Sequence, residues 1–332
     1  MKTKNAGNQQ TKEIFMDSLI FSLEATLPVF LVMILGYALK NTGLMKEEFV
    51  SALNKLNYNV TLPVLLFTDI SGADFYSVWD TSYVLFCFFG TLFSTLCIWG
   101  FSALFLRGTR RTFLGEFVQA SYRSSAAILG IAFIQNIYGH STIGPLMILG
   151  TVPLYNVMAV LVLSFTAPGE AGLSKSLLRK TLLDILKNPI IISIFLGLAF
   201  SLLRIDLPVI ADTTLSMVAR TATPLALLAL GGGFAGKAAL RYVKPTLAVS
   251  FIKLLLQPAV FLPIAVSFGF RGEELVALLI MLGAPTTASC YIMAKNLKHD
   301  GTLTSSAVVS TTFLSSFTLT FWLFLLRQLG LV

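Results

Sequence analysis

Apolar runs of about 20 residues, divided by short polar stretches, fill most of this chain, and a run of that length matches the hydrocarbon thickness of a bilayer. The pattern predicts ten membrane-spanning helices, at about 18–39, 49–70, 81–106, 114–138, 143–166, 184–203, 208–232, 246–268, 275–294 and 303–326. The polar stretch 1–17 lacks a signal-peptide cleavage pattern and reads as a disordered N-terminal tail.

The pattern also occurs twice. Leu27-Pro28, Gly36, Leu62-Pro63 and Gly72 recur at Asn188-Pro189, Gly197, Thr223-Pro224 and Gly233, each 161 positions later. An offset held over more than forty residues implies a duplication. The first repeat covers 18–166 with spans 1–5, a basic cytoplasmic linker covers 167–183, and the second repeat covers 184–327 with spans 6–10. Five is odd, so the second repeat enters the membrane from the opposite side and the repeat is inverted. Exchanging the conformations of two such halves turns an inward-open state into an outward-open one. The expected fold is therefore an all-α integral membrane protein of two inverted five-helix repeats.

Composition fits this class: 55% of residues are hydrophobic and 12% charged, with a mean hydropathy of +0.81. The net charge of +8 does not point to nucleic acid, because Lys and Arg cluster in short loops. With the N-terminus outside, cytoplasmic loops and span ends hold 14 of them against 6 on the outer side, so both termini are expected on the outer face of the cell membrane. Cys87, Cys97 and Cys290 lie inside apolar runs without CxxC spacing and read as packing residues. No HExxH, GxSxG or nucleophile with a nearby base occurs, so neither an enzyme, a metal nor a cofactor is expected. Gly231-Gly-Gly233 ends an apolar helix without a phosphate-loop sequence and suits close packing or a hinge. His140 and His299 fall in loops and read as solvated.

Two spans carry polar interruptions. The fourth places Arg123, Ser124 and Ser125 near mid-span, and the ninth places Pro285, Thr286, Thr287 and Ser289 at the matching depth. Pro285 removes a backbone donor, and freed backbone groups survive in a membrane only where they line a cavity or meet protein. The pairing of Glu116 with Glu274 and Ala126 with Ala284 gives an offset near 158 here. Two discontinuous helices crossing near the midplane are expected, each presenting the positive N-terminal end of a half-helix to a shared site that favours an anion.

Four basic residues remain within spans: Lys55, Arg123, Arg220 and Lys253. A buried cation is costly unless paired or facing water. Arg123, beside the break, is the candidate anion contact, with Glu116 or freed carbonyls as its alternative partners. Lys55 has Asp69 and Asp80 as the next aspartates downstream, Lys253 suits either the cavity or helix packing, and Arg220 lies where it can snorkel to a span end.

These residues resemble the auxin efflux carrier family, which includes PIN-type plant carriers and bacterial organic-anion carriers. The resemblance runs over nearly the whole chain and is carried by Asn188-Pro189, Thr223 to Gly232, Pro285 to Lys295 and Leu62 to Phe67. It implies a sodium/proton-antiporter-like fold, with spans 1, 2, 6 and 7 as scaffold and spans 3–5 and 8–10 as a mobile crossover domain, and a homodimer through the scaffold. It further implies that Pro285 is the crossover proline, that Lys55 lines the pathway, and that Tyr155 and Asn156 face the substrate. Where plant carriers have Pro-Asn in the fourth span, this chain has Ser124-Ser125, so a carboxylate other than auxin remains open. The function expected is elevator-type secondary transport of a small organic anion. A cation/proton antiporter and a ligand-sensing membrane protein are the alternatives, and the former lacks a titratable carboxylate at the crossing.

Overall fold

The computed structural model describes Met16, Ile20 and residues 27–72, 79–106, 112–126, 131–139, 143–167, 186–234 and 240–332. Every regular element among them is helical. Helix α1 is Leu27–Asn41. Helix α2 (Glu47–Leu56) runs through a π-helical turn, Asn57–Thr61, into α3 (Leu62–Ser71). Next come α4 (Thr81–Phe105), α5 (Leu114–Tyr122), α6 (Ile131–Tyr138) and α7 (Gly144–Phe165). In the second half, α8 (Pro189–Leu202) and α9 (Val209–Gly233) precede α10 (Val243–Phe251), which passes through the π turn Ile252–Leu256 into α11 (Gln257–Ser267). The chain closes with α12 (Gly272–Gly283), α13 (Ser289–Asn296) and α14 (Thr302–Gln328).

Among the described residues, five helical stretches are long and apolar enough to cross a membrane: Thr81–Phe105, Gly144–Phe165, Val209–Gly233, Leu240–Ser267 and Thr302–Gln328. Their surfaces suit lipid. Phe89, Phe93, Phe101 and Phe105 of α4 point outward, an arrangement that water would penalise and hydrocarbon does not. Helix starts are set locally: the Asp80 carboxylate accepts the Tyr83 N–H at 3.0 Å, and the Asn188 side chain accepts the Ile190 N–H at 2.9 Å, with Pro189 supplying a first-turn residue that needs no donor.

Helix α3 packs against α8 and α9, and α1 joins them through glycines. A Cβ at Gly36 would collide with the backbone of Leu228, and one at Gly231 with that of Met33. A Cβ at Gly197 would lie 3.1 Å from the Phe67 carbonyl. Gly36 and Gly197 stand 161 positions apart, and so do their partners Phe67 and Leu228. Val50 lies at Gly232 while Asn57 bonds the Ala222 carbonyl at 2.9 Å, so α2 and α9 run antiparallel. A second bundle packs α4 against α5 and α7, and α10–α11 against α12 and α14. Tyr83 meets Phe270 and Phe93 meets Phe261 across it, so α4 and α11 also run antiparallel.

The last helical residues before the two breaks, Tyr122 and Gly283, are again 161 apart. The structural register through the breaks is that of the rest of the chain, correcting the offset near 158 that the glutamates suggest. The two glutamates are not equivalent: Glu116 reaches across to α14, as described below, and Glu274 accepts the Arg271 N–H at the start of its own helix.

Candidate functional site

Both broken helices stop where their final carbonyls find side chains instead of helical N–H groups. After Tyr122 the backbone is extended at Arg123 (φ −75°, ψ 129°), and after Gly283 at Ala284 (φ −70°, ψ 159°). The fully buried Lys253 ammonium donates to the Leu282 carbonyl at 2.6 Å and lies 3.4 Å from that of Tyr122, so one cation serves the C-terminal ends of both α12 and α5. Those ends carry the negative pole of each helix dipole. The Gln257 amide donates to the Ser121 carbonyl, Thr286 Oγ1 to Ala120 O at 2.7 Å, and the Ser124 and Tyr155 hydroxyls both to Met281 O, at 2.5 and 2.8 Å. The Ser125 N–H donates to Pro285 O at 2.9 Å, joining the two breaks directly. No proline is needed in the fourth span, because Lys253, Gln257 and Thr286 hold its freed carbonyls.

Behind the crossing lies a cavity of about 110 Å3. Nine of the sequence-predicted site residues line it: Arg123, Ser124, Ser125, Tyr155, Asn156, Pro285, Thr286, Thr287 and Ser289. Arg123 is only 3% exposed. Its Nη2 donates to Asn156 Oδ1 at 2.9 Å and to Ser289 Oγ at 3.1 Å, and its Nη1 lies 2.7 Å from Met293 Sδ. Asn156 is oriented for this, since its own amide nitrogen donates to Val152 O at 2.9 Å. The Arg123 Nε has no partner, and no carboxylate pairs with the guanidinium among the described residues. Helix α13 begins at the same wall, and the N–H groups of Thr287, Ala288 and Ser289 have no hydrogen-bond partner among the described residues. A buried guanidinium beside the positive end of a helix is a pair of features that together select an anion. The entrance to the other half-helix, at 127–130, lies outside the described residues.

Some of the other expectations are corrected, while those for Arg220 and the glycines 231–233 agree with the structure. Glu116 does not pair with Arg123: its Oε1 accepts the Gly301 N–H, and its Oε2 the N–H and hydroxyl of Thr304, all at 2.9 Å. It caps the N-terminus of α14, where a carboxylate complements the helix dipole. Lys55 lies outside the cavity, exposed on α2, with no ion pair to Asp69 or Asp80 among the described residues. Lys253 does not line the cavity either; its role is the carbonyl contacts given above. Arg220 is exposed. His299 is buried at 3% exposure with Nε2 2.9 Å from Leu163 O, because the Glu116 cap draws its loop inward, and His140 lies outside the described residues. The glycines 231–233 are packing positions, Gly233 facing the Tyr291 hydroxyl.

The cavity adds Asp69, Thr223 and Thr312, which sequence reasoning did not place there. A signal existed for Asp69, an aspartate inside the apolar run of α3.

Comparison with known proteins agrees with a membrane role. Residues 21–323 match the family described as membrane transport protein. An uncharacterized transporter of Methanothermobacter thermautotrophicus is 27% identical over 306 residues, spanning 91% of this chain and 97% of that protein. The uncharacterized transporter YfdV of Escherichia coli K12 is 26% identical over 306 residues, 88% of this chain and 94% of its own, and YfdV of Shigella flexneri matches equally.

Proposed function

The chain belongs to the membrane transport protein family, and from that premise we propose that it is a secondary carrier of a small organic anion in the cell membrane, working by elevator-like alternating access. The observation that carries the substrate class is Arg123: a cation buried in an internal cavity, without a carboxylate partner among the described residues, beside the free N–H groups that open α13. A cavity of about 110 Å3 suits a metabolite rather than a peptide or lipid. Ten spans in two inverted repeats are supported by the antiparallel course of α2 against α9 and of α4 against α11, and by the paired contacts of Gly36 and Gly197.

In this reading α1–α3, α8 and α9 form the scaffold, which pairs with a second copy, and α4–α7 with α10–α14 form the moving crossover domain. Bonds between α5 and the α12–α13 break support its moving as one body. Uptake of radiolabelled carboxylates into proteoliposomes holding the purified protein tests the function. Saturable uptake above empty liposomes is expected; specific binding without any uptake or counterflow would replace transport with ligand sensing.

A further inference from the structure

The cavity holds a second charge that the anion reading does not use. Asp69, on α3, lines the same wall-to-wall space as Arg123, on the α5 break, and it makes no hydrogen bond or ion pair among the described residues. Among the described residues, no counter-ion comes from the elements packed against it. Helix α8 carries no charged residue, the π turn Asn57–Thr61 carries none, and the charged residues of α9, Asp212 and Arg220, are exposed and outside the lining. On α2, Glu47, Glu48 and Lys55 are exposed as well. Asp69 and Arg123 are not in ion-pair contact with each other. One guanidinium and one carboxylate thus line one cavity from two different helix bundles, and neither neutralises the other by contact.

Resting on the reading of Arg123 as an anion anchor, we propose that the ligand is a zwitterion of the small aliphatic amino-acid class, its carboxylate on Arg123 and its ammonium on Asp69. The argument is charge balance in a medium that screens poorly. The empty lining sums to zero, so a simple monocarboxylate would leave a net negative charge in the cavity, whereas a zwitterion leaves none and pairs both the buried Arg123 and the partly buried Asp69. The remaining wall fits the body of such a ligand: Leu65, Leu66 and Leu227 are apolar, and Thr223 and Thr312 offer hydroxyls. Binding would also tie the two bundles together, because Asp69 stands on α3 and Arg123 on α5. A ligand held at both ends is then carried only when both contacts are made.

The test is calorimetric titration of the purified full-length protein with matched pairs that share a carbon skeleton and differ in the ammonium group: glycine and acetate, alanine and propionate, valine and isovalerate, leucine and 4-methylpentanoate. The expected result is at least tenfold tighter binding of the amino acid in the best-fitting pair. In Asp69→Asn that ratio should collapse to about one, and Arg123→Gln should weaken both members. Tighter binding of the ammonium-free acid at every pH from 5 to 8 would overturn the proposal; its preference only under acid conditions would overturn it too and make Asp69 the seat of an accompanying proton. If Arg123→Gln binds both members as the wild type does, the anion reading itself fails. If it weakens the ammonium-free acid while the amino acid has no advantage in the wild type, the anion reading stands and the zwitterion fails. Should Asp69→Asn not fold, the wild-type ratio decides; binding by no pair overturns both.

Discussion

Replacing Arg123 with methionine separates a binding role from a structural one, because the two roles predict opposite balances of stability and affinity. In the free protein Arg123 makes two bonds to neutral oxygens, at 2.9 and 3.1 Å, and one contact to sulfur at 2.7 Å. Bonds from an ionised donor contribute about 1.5–3 kcal/mol each, so losing the two to oxygen removes about 3–6 kcal/mol. Burying a cation without an anionic partner costs several kcal/mol in a membrane interior, and methionine, close in length and apolar, relieves that. The two effects are of similar size, so thermal stability of Arg123→Met without ligand should stay close to that of the wild type. Affinity should fall. A charge-assisted bond to a carboxylate is worth about 1.5–3 kcal/mol, which at 1.4 kcal/mol per tenfold predicts a loss of about 10- to 150-fold in Kd. Thermal unfolding in detergent and calorimetric titration on the same preparation measure the two quantities. A variant that loses stability but keeps its affinity would refute the reasoning, and Arg123 would then be a structural cross-link between α5 and α13.

Pro285→Ala should let α12 continue toward α13 and withdraw the free N–H groups of Thr287 to Ser289, so that ligand titration detects no binding. Glu116→Ala deletes three bonds at the start of α14, each charge-assisted and worth about 1.5–3 kcal/mol, and should lower unfolding stability by about 4–9 kcal/mol without changing ligand affinity in the folded fraction. Gly36→Ala forces a methyl group into the Leu228 backbone and should destabilise by about 1–3 kcal/mol, whereas Gly197→Ala, with 3.1 Å to its neighbour, should be milder in the same assay. Cysteines introduced at Val332 and Lys298 and labelled in intact cells should react at Val332 alone; the reverse would overturn the orientation with both termini outside.

Much of this architecture is legible in the sequence because the bilayer imposes length and polarity on every span, and the duplication repeats landmarks such as Gly36 and Gly197 at a fixed offset. The ninth-span break was equally legible, since Pro285 cannot continue a hydrogen-bonded helix. The fourth-span break had weaker support. What ends α5 is not local: Lys253, Gln257 and Thr286 hold its carbonyls from more than 130 residues away, and no pattern within the span records them. Lys55 and Asp69 failed for a different reason. Hydropathy gives depth but not facing, and the π turn Asn57–Thr61 between them inserts an extra residue, which rotates the following helix by about 100° relative to an uninterrupted one. The lysine therefore faces outward while the aspartate reaches the cavity. Glu116 misled through apparent equivalence with Glu274, a match in residue type between positions whose partners differ.

The two bundles are joined unequally, and this bears on how they would exchange positions. At the crossing, α5 and the α12–α13 break share the Ser125 to Pro285 bond, the Thr286 bond to Ala120, the Arg123 bond to Ser289, and Lys253 placed between them. Across the seam to α2 and α9 stand the Asn296 amide donating to Asn54 O at 3.3 Å, and Tyr291 seated on Gly233. The seam is also asymmetric. Gly72, the counterpart of Gly233 one repeat earlier, would bring a Cβ against only the Thr68 carbonyl of its own helix among the described residues. Among the described residues, the Gly233 end is thus covered by the neighbouring bundle while the Gly72 end has no such contact. In the proposed exchange of the two halves, Tyr291 would leave Gly233 and the opposite end would close, at the expense of a long hydrogen bond worth about 1 kcal/mol, the packing of Tyr291 on Gly233 and the Phe30–Phe313 ring contact at 6.3 Å. Separating α5 from α12 and α13 would instead strip buried carbonyls of several partners at once. The proposed motion would therefore be confined to the seam, and Asp69 and Arg123, which line one cavity from its two sides, are the charged groups a bound ligand would bridge.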